Sequence, residues 1–155
     1  MVDHHEMKTV VAADEVILGK LPLDSKTLLR VASRLIETAP APICVKIVLG
    51  RRTVALLSSD GMAVDNERFL DLKINTVFNC GHSSLWWFHH LRATGRTLAD
   101  VAWADPAEVI DMGGGVPLLT HNQIVGAIAI SGLPHEDDHA LIMRVVEAVA
   151  GAGEG

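Results

Sequence analysis

Apolar residues recur along this chain with two periods, one near 3.6 and one of 2, and the switches between them lay out the elements. After Asp24 and Ser25, both suited to capping a helix N-terminus, Leu28, Leu29, Val31, Ala32, Leu35 and Ile36 fall on a helical stripe that Pro40 and Pro42 end. Ile43 to Leu49 and Thr53 to Leu57 are short apolar runs with several β-branched residues, separated by Gly50-Arg51-Arg52. They read as an antiparallel hairpin that Asp60-Gly61 closes. From about Asp65 helical spacing returns through Phe69, Leu70, Leu72, Ile74, Val77 and Phe78 and can be followed to Leu91. Gly81 marks a break or kink in it, since glycine inside a helix costs about 1 kcal/mol relative to alanine.

A shorter helix is expected after Thr97 and a further turn at Asp105-Pro106. Val116 to Leu119 and Ile124 to Ile130 form a second hairpin around His121-Asn122-Gln123. A last helix starts near Pro134, with Glu136, Asp137 and Asp138 placed favourably against its dipole and Leu141, Ile142, Val145, Val146 and Val149 as its stripe. Hairpins separated by helices predict an α+β fold: a mostly antiparallel sheet of about five strands, the fifth at Glu15 to Leu18, flanked by helices. One domain is expected over residues 14–151, with flexible tails at 1–13 and 152–155.

Charge and composition narrow the function. The net charge of −6, from 13 basic and 19 acidic residues, and the lack of any basic block beyond Arg51-Arg52 argue against a nucleic-acid partner. The longest apolar stretches are too short to span a bilayer, and Met1 to Lys8 has no secretory character, so a cytoplasmic protein is expected, with Cys44 and Cys80 as reduced thiols.

The candidate chemistry lies in four places. Gly113-Gly114-Gly115 frees three backbone N–H groups from side chains; it suits either a nest for an anionic ligand or a tight connection into an edge strand. His135-Glu136-Asp137-Asp138-His139 fits the zinc pattern H-E-x-x-H, but it opens a helix crowded with acids, which favours a charged helix start. His82, beside Gly81 and one turn before Trp86, is a candidate acid/base or metal ligand, although a lone His among apolar residues is more often an ordinary core imidazole. Trp86, Trp87 and Phe88 point in successive helix directions and cannot all face one core, which a subunit interface would explain.

Taken together, Asp65-Asn66, Lys73, Gly81-His82-Ser83-Ser84, Asp105-Pro106-Ala107, Gly113 to Leu118, Gly126 to Pro134 and Glu136-Asp137-Asp138-His139 resemble the GlcG/HbpS-like, or haem-degrading domain, family and its short cytosolic branch. The likeness runs from about Val16 to Ala150. It implies a profilin-like fold and assembly into dimers or larger rings, and some members are associated with haem. On it rests the leading expectation of a homo-oligomeric small-ligand-binding protein, haem or a related tetrapyrrole being the favoured ligand. His82, His89 and His139 are the axial candidates. In the ligand site, Gly113 to Gly115 and Asn66 would make contact, and Lys73 or Arg68 would pair with a carboxylate. Two alternatives stand beside it: an enzyme using His82 as acid/base with Asp65 and Lys73 assisting, and a non-catalytic assembly or adaptor protein.

Overall fold

The structure, a computed structural model, describes residues 1–152. Helices α1 (His4–Ala12), α2 (Asp14–Leu18) and α3 (Ser25–Thr38) lead into strands β1 (Cys44–Leu49) and β2 (Arg52–Ser58). Helices α4 (Val64–Cys80) and α5 (Ser84–Ala93) follow, then β3 (Gly115–Thr120), β4 (Gln123–Ser131) and α6 (His135–Ala152). The sheet has the order β2-β1-β4-β3 with every neighbouring pair antiparallel. Among the described residues it has four strands, not five.

The alternation of side chains across the sheet sorts the helices into two layers. Val45, Ile47, Val116, Leu118, Ile128 and Ile130 point to one face and pack with the stripes of α3 and α6. Cys44, Val48, Ala127 and Ala129 point to the other and receive Leu70, Ile74 and Val77 of α4. Alanines on that second face allow α4 to lie close.

Local signals account for the joints. Asp24 caps α3 by accepting the N–H of Thr27, and the chain leaves that helix before Pro40. Gly81 takes φ +78° and ends α4, and Ser83 then caps α5 through its Oγ, so the long helical pattern splits where glycine predicts. His121 and Asn122, at φ +50° and +62°, make the two-residue β3–β4 turn.

Three expectations are corrected. The stretch before Ala13 is not an irregular tail but helix α1, capped by Asp3, whose Oδ1 accepts from the N–H groups of His5 and Glu6. Glu15 to Leu18 lies in a helix, not a strand: Asp14 and Glu15 suit a first helical turn, and Leu18 is fully buried beneath it. The segment after Thr97 is only a 3₁₀ turn, Leu98–Asp100. Ala152 closes α6, and residues 153–155 of the expected tail lie outside the described residues.

Candidate functional site

The glycine run sits at the junction of α4, α5, α6 and β4, and all three residues are buried. A Cβ on Gly113 would lie 2.7 Å from the carbonyl of His135; one on Gly115 would lie 2.9 Å from that of Lys73. The Gly113 N–H donates to Nδ1 of His135 at 2.9 Å, the Gly115 N–H donates to Oγ of Ser84 at 2.9 Å, and the carbonyl of Gly114 accepts from Ile130. The open nest of N–H groups expected for a ligand is therefore not formed. Close packing of four elements is what demands glycine here.

Lys73 is likewise interior. Its Nζ donates to Oδ2 of Asp138 at 3.1 Å and to the carbonyl of Ile130 at 2.7 Å, while Oδ1 of Asp138 accepts from the N–H of Leu133. Both side chains are almost completely buried. Burial pushes the Asp138 carboxyl up to about 6 against the attraction of Lys73, and pulls Lys73 below its usual value. Asp138 is thus no surface charge at a helix start, and Lys73 is not available to a ligand carboxylate.

Asp65 and Arg68 are exposed at the start of α4, and Asn66 there accepts the N–H of Ala63 through Oδ1 and reaches Oγ of Ser131. His82 follows the other end of α4, whose 17 residues extend about 25 Å. The convergence of His82, Asp65 and the glycines that an acid/base cleft would require does not occur. Two surface grooves, of about 680 Å³ along α3 and α6 and about 600 Å³ beside β1 and α4, include none of these residues.

What the fold does bring together is histidine. Six of them, 4, 82, 89, 90, 135 and 139, gather around α5 and the start of α6, and their partners fix which nitrogen is free. Nδ1 of His135 accepts from Gly113, so its proton is on Nε2. His139 donates from Nε2 to Asp14 at 2.7 Å, and its Nδ1 is sealed in the interior without a partner. His89 meets His4, Nδ1 to Nδ1, at 2.9 Å, and His90 accepts from Lys8 at 3.3 Å. His139 therefore presents no lone pair to an incoming metal, and the two histidines of H-E-x-x-H are each committed elsewhere. Among the described residues no group of three or more His, Cys, Asp or Glu could hold a metal ion.

His82 differs. Its Nδ1 lies 2.6 Å from Oε1 of Glu15, so Nδ1 carries a proton and, in the neutral ring, Nε2 has the lone pair, with no hydrogen-bond partner among the described residues. The ring stacks on Trp86 with centroids 3.9 Å apart, and its side chain is 34% exposed. A carboxylate on one imidazole nitrogen and an open lone pair on the other is the arrangement that holds a metal-binding or proton-accepting histidine in register. Sequence reasoning finds His82 but misses Glu15, whose helix it reads as a strand.

The aromatic triplet is accommodated within the chain. Trp87 is buried against Leu91 and Val101; Trp86 lies between His82 and His90. Phe88 has Arg92 at 3.6 Å and His135 at 4.6 Å. Helix α1 supplies the second layer that the sequence alone assigns to a partner subunit. Cys44 and Cys80 are unpaired, and burial pushes their thiols up to about 11 and about 12, far from reactive thiolate. No described helix is long and apolar enough to cross a membrane.

Comparison with known proteins adds the lineage. Residues 23–147 match the family described as haem degrading protein HbpS-like. A UPF0303 protein of Paraburkholderia phytofirmans is 30% identical over 151 residues, covering 95% of this chain and 91% of its own. One from Streptomyces avermitilis is 32% identical over 108 residues, 69% of this chain and 66% of its own. Among solved structures, the Ybr137w protein superposes with a TM-score of 0.81 at 20% identity, covering 99% of this chain and 91% of that one. The PduOC:heme complex gives 0.66 at 19% identity, covering 83% and 94%. These likenesses to solved structures are of fold, and agree with the single antiparallel sheet covered by helices on both faces. The segment matched across α3, α4, α5, most of α6 and all four strands, together with relatives that align over nearly the whole length, establishes that this chain belongs to the HbpS-like haem-degrading protein family.

Proposed function

We propose that this protein is a cytoplasmic, self-associating binder of a small planar ligand of the haem or tetrapyrrole class, with His82 as the residue that meets the iron. The observation that carries the reading is the Glu15–His82 pair, which leaves Nε2 of an oriented, part-exposed imidazole free beside the face of Trp86. The family's description and a structural neighbour solved as a heme complex support it. A bound haem supplies an iron with a coordination position for one imidazole nitrogen. The chain's own part is to hold the His82 tautomer and to offer an aromatic surface alongside. Self-association draws support from Val64, Phe69 and Phe78 of α4 and Leu56 of β2, apolar side chains exposed on one chain.

Titration with haemin at pH 7.5 tests this. The free protein is expected to shift the Soret band, His82→Ala to abolish the shift, and Glu15→Gln to weaken binding about tenfold or more, the usual cost of losing a carboxylate behind a ligating histidine. An unchanged Soret band, or a shift indifferent to His82, refutes the haem reading. It would leave the same pair as the acid/base unit of a small-molecule enzyme, in which Asp65 and Lys73 take no part.

A further inference from the structure

All four side-chain hydrogen bonds that tie residues 3–18 to the rest of the described chain use a histidine. They are of two kinds. Helix α2 is held by carboxylates, Asp14 on His139 and Glu15 on His82, and these contacts tolerate a charge on the imidazole. Helix α1 is held by contacts that need an uncharged one. The Nδ1–Nδ1 bond between His4 and His89 requires one bare nitrogen, and the ammonium of Lys8 donates to a bare Nδ1 of His90.

The surroundings reinforce this difference. Facing His89 are His4 from α1, Arg92 on its own helix, and His135 and Glu136 from α6; facing His90 are Lys8, Arg96 and His82. Burial, together with the cationic members of these sets, holds both imidazoles below their usual range, so both are neutral at neutral pH. Beyond these hydrogen bonds α1 rests on α5 through Lys8 over the Trp86 ring and His4 against Phe88, and of its nine residues only Val11 is buried. It joins α2 through the single residue Ala13.

We infer that α1 is an acid-released cover over the face of α5 that carries Trp86 and Phe88, with α2 as its fixed post. Release lets His89 and His90, whose bare Nδ1 atoms the closed contacts with His4 and Lys8 use, take up protons that closure disfavours, and each proton so gained multiplies the open fraction by up to about ten for every pH unit below about 6.5. The inference rests on the haem reading only in the purpose of the uncovered face, since Trp86 stacks on His82; the release itself requires no ligand.

Hydrogen–deuterium exchange of the full chain without ligand, at pH 7.5 and 5.5 and normalised for intrinsic rates, is the test. Protection of residues 4–12 is expected to fall at least tenfold at pH 5.5, while α2, β4 and α6 stay protected. His4→Gln, at a half-buried first-turn position, and His89→Gln each replace one imidazole of the pair by an uncharged amide and should blunt the response. His4→Lys should strip protection from α1 already at pH 7.5. Equal protection of α1 at the two pH values, α1 amides unprotected at both, simultaneous loss in β4 and α6, or a full response in both glutamine variants would each overturn the inference. A chain that releases α1 but leaves the Soret band unmoved refutes the functional reading alone, and the converse result refutes only the cover.

Discussion

Replacing Lys73 with Met is expected to lower stability by about 3–5 kcal/mol at pH 7.5, the range for stranding one member of a buried ion pair. For a chain of this size that corresponds to a thermal midpoint lower by roughly 10 °C. The loss comes from what stays behind. Without the ammonium, the Asp138 carboxylate keeps only the N–H of Leu133, in an interior that already penalises its charge. The carboxyl is raised in the fold from 3.8 to about 6, so the folded state holds its proton more tightly than the unfolded state, and acid relieves the penalty on the ionised form. In Lys73→Met the two interactions with Lys73 that lower this carboxyl are gone, so it rises further, and the deficit should grow as the pH climbs above about 6 and shrink toward pH 5. Adding Asp138→Asn, which keeps an acceptor for Leu133 without the charge, should restore most of the stability at pH 7.5. Urea titrations of the three proteins at both pH values read this directly. A Lys73→Met deficit below about 1 kcal/mol, or one indifferent to pH, would show that the pair is not carrying a buried charge.

The second large effect is expected at Gly114. Its φ of +113° is closed to side chains without strain, and a Cβ there would meet the carbonyl of Ile130 at 2.9 Å and Nζ of Lys73 at 2.7 Å. Left-handed strain costs about 1–3 kcal/mol and core overpacking about as much again, so Gly114→Ala should lose about 3 kcal/mol or more. The two sites share contacts, so combining Gly114→Ala with Lys73→Met should cost less than the sum of the separate losses. A Gly114→Ala protein within 1 kcal/mol of the parent would contradict the close packing. It would reopen the run as a surface cradle.

The elements that a sequence announces through aliphatic periodicity are the ones found here. Leu28 to Leu35 made a buried stripe, the two hairpins paired, and Gly81 broke the long helix, because each of those outcomes follows from residues within a few positions of one another. Helix α1 carries its inward face on His4, Met7 and Lys8, residues that read as solvent-facing until α5, some 80 positions away, is folded beneath them. Glu15 and Asp14 belong to the same class, with partners 67 and 125 positions off. Lys73 and Asp138 each look like a solvated helix charge, and only the fold, bringing together residues 65 apart, makes them one buried unit. His82 was legible from its neighbours Gly81 and Trp86; its free nitrogen was not, since that depends on Glu15.

The segment that matches the family's description begins at residue 23, after α1 and α2 have ended. The groups that hydrogen-bond His82, His139 and His89 thus lie ahead of that segment. A relative could inherit the sheet and every imidazole and yet, with a different leading segment, set its histidines to another tautomer. Within such a lineage the ligand preference would then evolve through the first twenty residues while the scaffold stood still. Transplanting those residues between relatives would move the chemistry without moving the fold.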